Sequence, residues 1–262
     1  MKVLLERKQM ILREDYRHSA SRGNAFIDSP AYWIITELFE YSEPANARMV
    51  MGTVAEEVAY EAIGLDLSKE QISDRVNKTW DKHYDDETVD EREWAKEIAV
   101  TFTDNLRQFG KVISYQNEKV INHDKLQKKI KCITDFEFDD VIVDTKATAY
   151  LKRLKSGKLD ANWYPKQSDV RQQLLYKRIY NKPTMLLYAS AKDHEAIDMV
   201  DRVSNVDLIQ VFQTIEHICT VAKTKEDVVR MFPLTMDNFR WGKGHTAAKE
   251  FAIDIWNKAW KN

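Results

Sequence analysis

The chain has 262 residues, 44% of them hydrophobic and 31% charged, with 7 glycines and 5 prolines. That is enough apolar material for a substantial core, and the composition excludes a fibrous or disordered protein. Two cysteines exclude a disulfide framework, and a formal net charge of -2 excludes nucleic-acid binding by bulk positive charge.

Residues 1–15, MKVLLERKQMILRED, carry charges inside any apolar run, so neither a signal peptide nor a membrane span is expected. With only Cys132 and Cys219, the expected compartment is the cytoplasm. Residues 45–63 place Met49, Val50, Thr53, Val54, Val58, Ala62 and Ile63 at helical spacing, with Gly64 as the stop. Gly52 inside that helix costs about 1 kcal/mol relative to alanine, which points to a close approach to its backbone. Two further helices are predicted, over 68–83, opened by Ser68, and over 87–109. The latter carries Val89, Trp94, Ile98, Phe102, Leu106 and Phe109 on one stripe and ends at Gly110.

The period then changes. VISYQ (112–116), IKCITDFEF (130–138) and VIVDTKA (141–147) are rich in β-branched and aromatic residues and read as strands. Residues 151–168 lack periodicity and form a basic loop, Asp169 is placed to cap a helix through about Tyr180, and TMLLYAS (184–190) returns to strand. The remainder reads as mostly helical, with helices over 206–222 and 245–260, the last carrying Phe251, Ile255, Trp256 and Trp260. This order predicts an α/β fold, a central mixed sheet flanked by helices, as one domain over 1–262. Its core is expected over about 45–190, with helical additions at 1–44 and 191–262.

The hairpin concentrates the chemistry. A two-residue turn at Asp139-Asp140 would set Asp135 opposite Asp144, with Cβ atoms about 4.5–5.5 Å apart, where two like charges repel unless a cation lies between them. Lys146, two residues beyond Asp144, projects from the same face. Magnesium, a hard cation satisfied by one or two carboxylates, water and a phosphate, suits that pair, with manganese as a substitute. Bound there, it would activate water and offset phosphate charge, with Lys146 orienting the water or stabilising developing charge. A D-x-K triplet alone is weak, because one arises by chance roughly once in a chain of this length.

Order and context strengthen it. Gly52-Thr-Val-Ala-Glu56 on a helix, CITD ending at Asp135, Asp144-Thr-Lys146 and Gln172-Gln-Leu-Leu-Tyr176 follow one another along the chain. In this the sequence resembles the RecB-like, phage-type exonuclease branch of the PD-(D/E)xK nucleases, over roughly residues 45–190. The resemblance implies a restriction-endonuclease-like core and a metal held by Glu56, Asp135, Asp144 and the Thr145 carbonyl. It makes Lys146 the catalytic lysine and places Gln172 and Tyr176 against the DNA strand. Glu57 competes with Glu56, and Cys132 replaces the usual glycine of the second motif. Ser29-Pro30 stands where cluster-bearing relatives have Cys-Pro, so no iron–sulfur cluster is expected. FPLTMDNFRWG (232–242) is similar to the carboxy-terminal region of phage-type members.

The expected activity is therefore metal-dependent DNA hydrolysis, with an exonuclease of replication, recombination or phage DNA processing first and an endonuclease second. DNA and a protein of that machinery are the expected partners. A reading of another class is an inactive DNA-binding or assembly module using the basic segment 146–182, which holds ten Lys or Arg against Asp160 and Asp169. There, Trp163 and Tyr164 are candidates to stack on bases. Six histidines, at 18, 83, 123, 194, 217 and 245, show no HxxxH or HxH spacing for zinc, and no phosphate-binding G-x-x-x-x-G-K-[ST] loop occurs.

Overall fold

The computed structural model describes residues 10–85, 89–244 and 246–261. The expectations for residues 1–9, for the first residues of the helices read from 87 and from 245, and for His245 lie outside the described residues. In chain order the elements are α1 (Ala20–Asp28), α2 (Pro30–Trp33, running into a π turn over Ile34–Leu38), α3 (Ala47–Leu65), α4 (Lys69–His83), α5 (Asp90–Leu106), β1 (Ser114–Ile121), β2 (Ile130–Glu137), β3 (Ile142–Ala147), α6 (Gln167–Tyr180), β4 (Thr184–Ala189), β5 (His194–Asp198), α7 (Leu208–Val221), α8 (Lys225–Met231) and α9 (Ala247–Lys261). The fold is α/β, a five-stranded mixed sheet in the order β1-β2-β3-β4-β5 with helices against it and helical segments before and after.

The described residues divide into two compact units, one within 44–119 and 132–204, the other within 10–43, 120–131 and 205–261. In the first, β2 and β3 pair antiparallel, β3 and β4 parallel, and β4 and β5 antiparallel. Side chains alternate across β4. Leu187 and Ala189 join Val143 and Phe136 in a core with α3, α4 and α5, whereas Leu186 and Tyr188 meet Val170 of α6 and Ile197 of β5. α4 opens with the capping box in which Ser68 and Gln71 satisfy each other's backbone N–H groups.

The sequence expectation needs several corrections here. α3 runs past Gly64 and ends on Asp66, whose left-handed φ of 51° serves as the cap, a conformation a short acidic side chain tolerates. On the same helix Met49 and Thr53 are exposed, not part of the buried stripe. A Cβ at Gly52 would meet Ala147 Cβ at 3.6 Å, ordinary contact, so no close approach requires glycine there. α6 starts at Gln167 without a side-chain cap, and Asp169 lies in its first turn. β5 falls where helix was expected, because a short, polar strand at the sheet edge carries no apolar alternation.

The second unit is helical, and its core gathers Trp33, Ile35, Ile215, Trp241 and Trp256. Ser29 caps α2 and accepts a hydrogen bond from Trp241 Nε1 at 3.1 Å, while Arg240 pairs with Asp28 at 2.7 Å, tying the Ser29-Pro30 turn to the 232–242 segment. Trp260 of α9 is exposed, contrary to its place on the expected apolar face. Among the described residues no helix is long and apolar enough to cross a membrane.

Candidate functional site

The register of the β2–β3 hairpin decides the site. Phe138 N donates to Val141 O at 2.9 Å across Asp139-Asp140, and Glu137 pairs with Ile142 and Phe136 with Val143. Continued one step, that register would set Asp135 opposite Asp144, the arrangement expected from a two-residue turn, but the pairing ends at Phe136 and Val143. There the ladder stops. Thr145 N–H, which a continued ladder would direct at the β2 backbone, donates instead to Asp135 Oδ2 at 2.8 Å. From α6, Tyr176 Oη donates to Ile133 O of β2 at 2.6 Å, and Tyr180 Oη donates to Asn117 O of β1 at 3.1 Å with Cys132 O at 3.5 Å.

Side chains from both layers enter this opening. From α3, Glu56 Oε2 accepts from Thr145 Oγ1 at 3.0 Å, and Thr145 Oγ1 also lies 3.3 Å from Asp135 Oδ2. One hydroxyl proton cannot serve two carboxylates at once, so sharing Thr145 favours a proton on one of the acids. From α6, Gln172 Nε2 donates to Asp144 Oδ1 at 3.1 Å and to Tyr176 Oη at 3.0 Å. On β3 the Lys146 ammonium forms an ion pair with Asp144 Oδ2. Glu57 turns elsewhere, to His83 Nε2 at 3.2 Å, so Glu56 is the acid of the pair that reaches the hairpin.

The electrostatics follow from this crowding. Asp144 is fully buried, and burial, reinforced by the charge of Asp135, pushes its carboxyl up to about 8 against the pull of Lys146. Burial likewise carries Asp135 up to about 6, with Glu56 adding and Lys146 and Thr145 opposing. Glu56 is raised for the same first reason, although hydrogen bonds from Gln116 and Thr145 counter it. Burial alone would lower Lys146. The carboxylates of Asp144, Asp135 and Asp169 outweigh it and hold the ammonium well above the ordinary lysine value.

Three contributors escape the linear reading. Gln116 on β1 has a left-handed φ of 50° and donates from Nε2 to Glu56 Oε1, so a locally strained backbone aims this amide. Asp169 is buried, accepts from Tyr188 Oη and acts on the charges of Asp144 and Lys146. Tyr115 stacks on Tyr60, with centroids 4.3 Å apart, between β1 and α3. Nothing in the local sequence marks Gln116 or Tyr115, since each depends on which strand the helix α3 packs against. Asp169 was visible as an acid at a helix start but pointed to a different job. Of the residues read from sequence, Glu56, Asp135, Asp144, Thr145, Lys146, Gln172 and Tyr176 are brought together, and Tyr176 is buried with its hydroxyl directed inward.

No protein-family model matches the chain, and no curated protein matches it in sequence. Among solved structures, a protein from Eubacterium rectale described as "Putative exonuclease" is similar over 88% of this chain and 86% of its own, at 17% identity and a TM-score of 0.48. The protein SSO0001 is similar over 71% of this chain and 82% of its own, at 10% identity and a TM-score of 0.33.

Proposed function

We propose that the chain is a metal-dependent nuclease of the PD-(D/E)xK type that hydrolyses phosphodiester bonds in DNA, acting at DNA ends. The observation that supports this is the opened hairpin, where Asp144 pairs with the Lys146 ammonium and Asp135 and Glu56 both meet the adjoining Thr145. Such an excess of negative charge in a buried place raises the pKa values of its own acids and is relieved by a cation.

The donors are all oxygen, which fits magnesium or manganese. Their spacing as placed gathers no three His, Cys, Asp or Glu side chains for one ion among the described residues, because Thr145 Oγ1 bridges Glu56 and Asp135. Two carboxylates are sufficient for magnesium when water and a phosphate complete its shell, so Asp135 and Asp144 are the residues that would hold it, with Glu56 and the Thr145 carbonyl as the further candidates. When bound, such an ion lowers the pKa of water and offsets charge on the scissile phosphate. Lys146, kept protonated by its neighbours, supplies positive charge where the phosphate becomes more negative, and Gln172 fixes Asp144 through its amide. Gln172 is only partly buried and remains able to touch the strand, whereas Tyr176 holds β2 in place. The preference for ends rests on the resemblance carried by Gln172 and Tyr176.

The test is incubation of end-labelled linear and closed circular DNA with magnesium, manganese or chelator, beside Lys146→Ala and Asp144→Ala. Metal-dependent loss of linear DNA alone, abolished by both substitutions, is the expected result. Nicked circles would make it an endonuclease, and no metal-dependent product on any substrate would sink the enzymatic reading and leave a DNA-binding module.

A further inference from the structure

Between β3, which carries Asp144 and Lys146, and α6, which carries Gln172, the chain runs irregularly over 148–166. This connection is held firmly. Arg153 and Leu159 form an isolated antiparallel bridge, and Leu154 N donates to Lys158 O at 2.8 Å. The Arg153 guanidinium binds Asp193, Glu195 and the His194 carbonyl, so its charge is already compensated. Tyr164 is buried against Tyr188 with ring centroids 5.0 Å apart, and its hydroxyl donates to Tyr150 O at 3.1 Å. Tyr164, a stacking candidate in the sequence, is therefore an anchor.

What the anchored loop leaves outside is a different set. Tyr150 is 64% exposed and Trp163 50%, so the two rings lie open to solvent. Lys152 Nζ lies 4.4 Å from the Trp163 ring centroid, orienting the indole and bringing a cation beside it. Lys155, Lys158 and Lys166 are exposed and enter no ion pair among the described residues, while Lys152 approaches only Asp160, at 3.8 Å. In the 146–182 segment Lys146, Arg153 and Lys182 are thus paired with acids, whereas Lys155, Lys158 and Lys166 of the loop carry exposed charge and Lys152 lies against Trp163.

We infer that this loop is a platform for single-stranded DNA, with bases stacking on Trp163 and Tyr150 and phosphates meeting Lys152, Lys155, Lys158 and Lys166. The inference rests on the nuclease reading for the identity of the substrate, and it adds the form in which that substrate is held. A duplex keeps its bases stacked on each other and offers the rings nothing, whereas an unpaired strand presents every base face. The loop begins at the end of β3, two residues beyond Lys146, so it is joined directly to the strand that carries the hairpin site.

The experiment measures binding of a fluorescein-labelled oligothymidylate and of a blunt duplex of equal length to the full chain in chelator, where cleavage is silent. Trp163→Ala combined with Tyr150→Ala should weaken the single strand at least about thirtyfold and change the duplex less than about twofold. Lys155→Ala with Lys158→Ala should reduce the salt dependence of single-strand binding by roughly one unit of slope. Trp163→Phe with Tyr150→Phe, which keeps the rings, should retain most of the affinity, and unchanged melting temperatures would exclude misfolding. Equal losses on both substrates, or unchanged single-strand affinity, would overturn the platform, as would displacement of the strand by polyglutamate with no dependence on Trp163. A chain that binds through Trp163 but never cuts would keep the platform and end the nuclease reading. One that cuts while the ring variants bind normally would do the reverse.

Discussion

Replacing Tyr176 by phenylalanine isolates the tie between α6 and the opened strand. The ring is 5% exposed, so phenylalanine keeps the packing and removes only the hydroxyl, which donates to Ile133 O at 2.6 Å and accepts from Gln172 Nε2 at 3.0 Å. Left without its donor in a buried place, a carbonyl costs about 1–3 kcal/mol, and for a chain of this size each kcal/mol lowers the melting temperature by about 2–4 °C. A drop of roughly 2–12 °C is therefore expected in thermal unfolding. Gln172→Ala should cost less, and the double variant should fall short of the sum by about 0.5–1 kcal/mol, because the two side chains share one hydrogen-bonded chain to Asp144. DNA affinity in chelator should be unchanged in Tyr176→Phe, since the hydroxyl is directed into the protein. A variant within about 0.5 kcal/mol of the parent would refute this account of the hairpin, and a loss of affinity would make Tyr176 a DNA contact.

Magnesium should raise the melting temperature of the parent and leave the Asp135→Asn, Asp144→Asn double variant unmoved. At a hundred times the dissociation constant the stabilisation is about 2.7 kcal/mol, and a parent that shows no shift at millimolar magnesium would remove the metal from the site. Gly52→Ala should stabilise by about 0.5–1 kcal/mol in the same assay, because α3 gains helix propensity and the new methyl meets Ala147 at ordinary contact distance; destabilisation would show that the helix sits closer than described. The helical unit should weaken on acidification. Buried His18, 3.0 Å from Glu216, is depressed by burial, so the unfolded chain takes up its proton near the ordinary value of about 6.5 while the folded chain does not. Glu216 is depressed too, since hydrogen bonds from His18, Gln127 N and Lys128 N outweigh its burial, and it adds a loss below about pH 4.5. Melting temperatures should fall between about pH 7 and pH 5, and His18→Gln should flatten that slope; an unchanged slope would show that His18 takes no part.

What could be read along the chain was whatever neighbours in sequence control. The Asp139-Asp140 turn sets the register of two adjoining strands, and that register alone places Asp135, Asp144 and Lys146. The Ser68–Gln71 capping box is equally local, as is Gly110, whose φ of 83° closes the 3-10 turn Arg107–Phe109 that follows α5. Glu56 and Glu57 could not be separated that way, because adjacent helix positions differ by about 100° of rotation and only the packing of α3 on β3 selects between them. Packing also turned Tyr164 inward and Trp163 outward, directed Asp169 to Tyr188 and recruited Gln116 from β1 to Glu56. Short-range periodicity and turn chemistry determine which atoms line one strand pair. The partners that reach it from α3, α6 and β1 lie up to 89 residues away, and burial against the sheet, which has no signature in any local pattern, decided them.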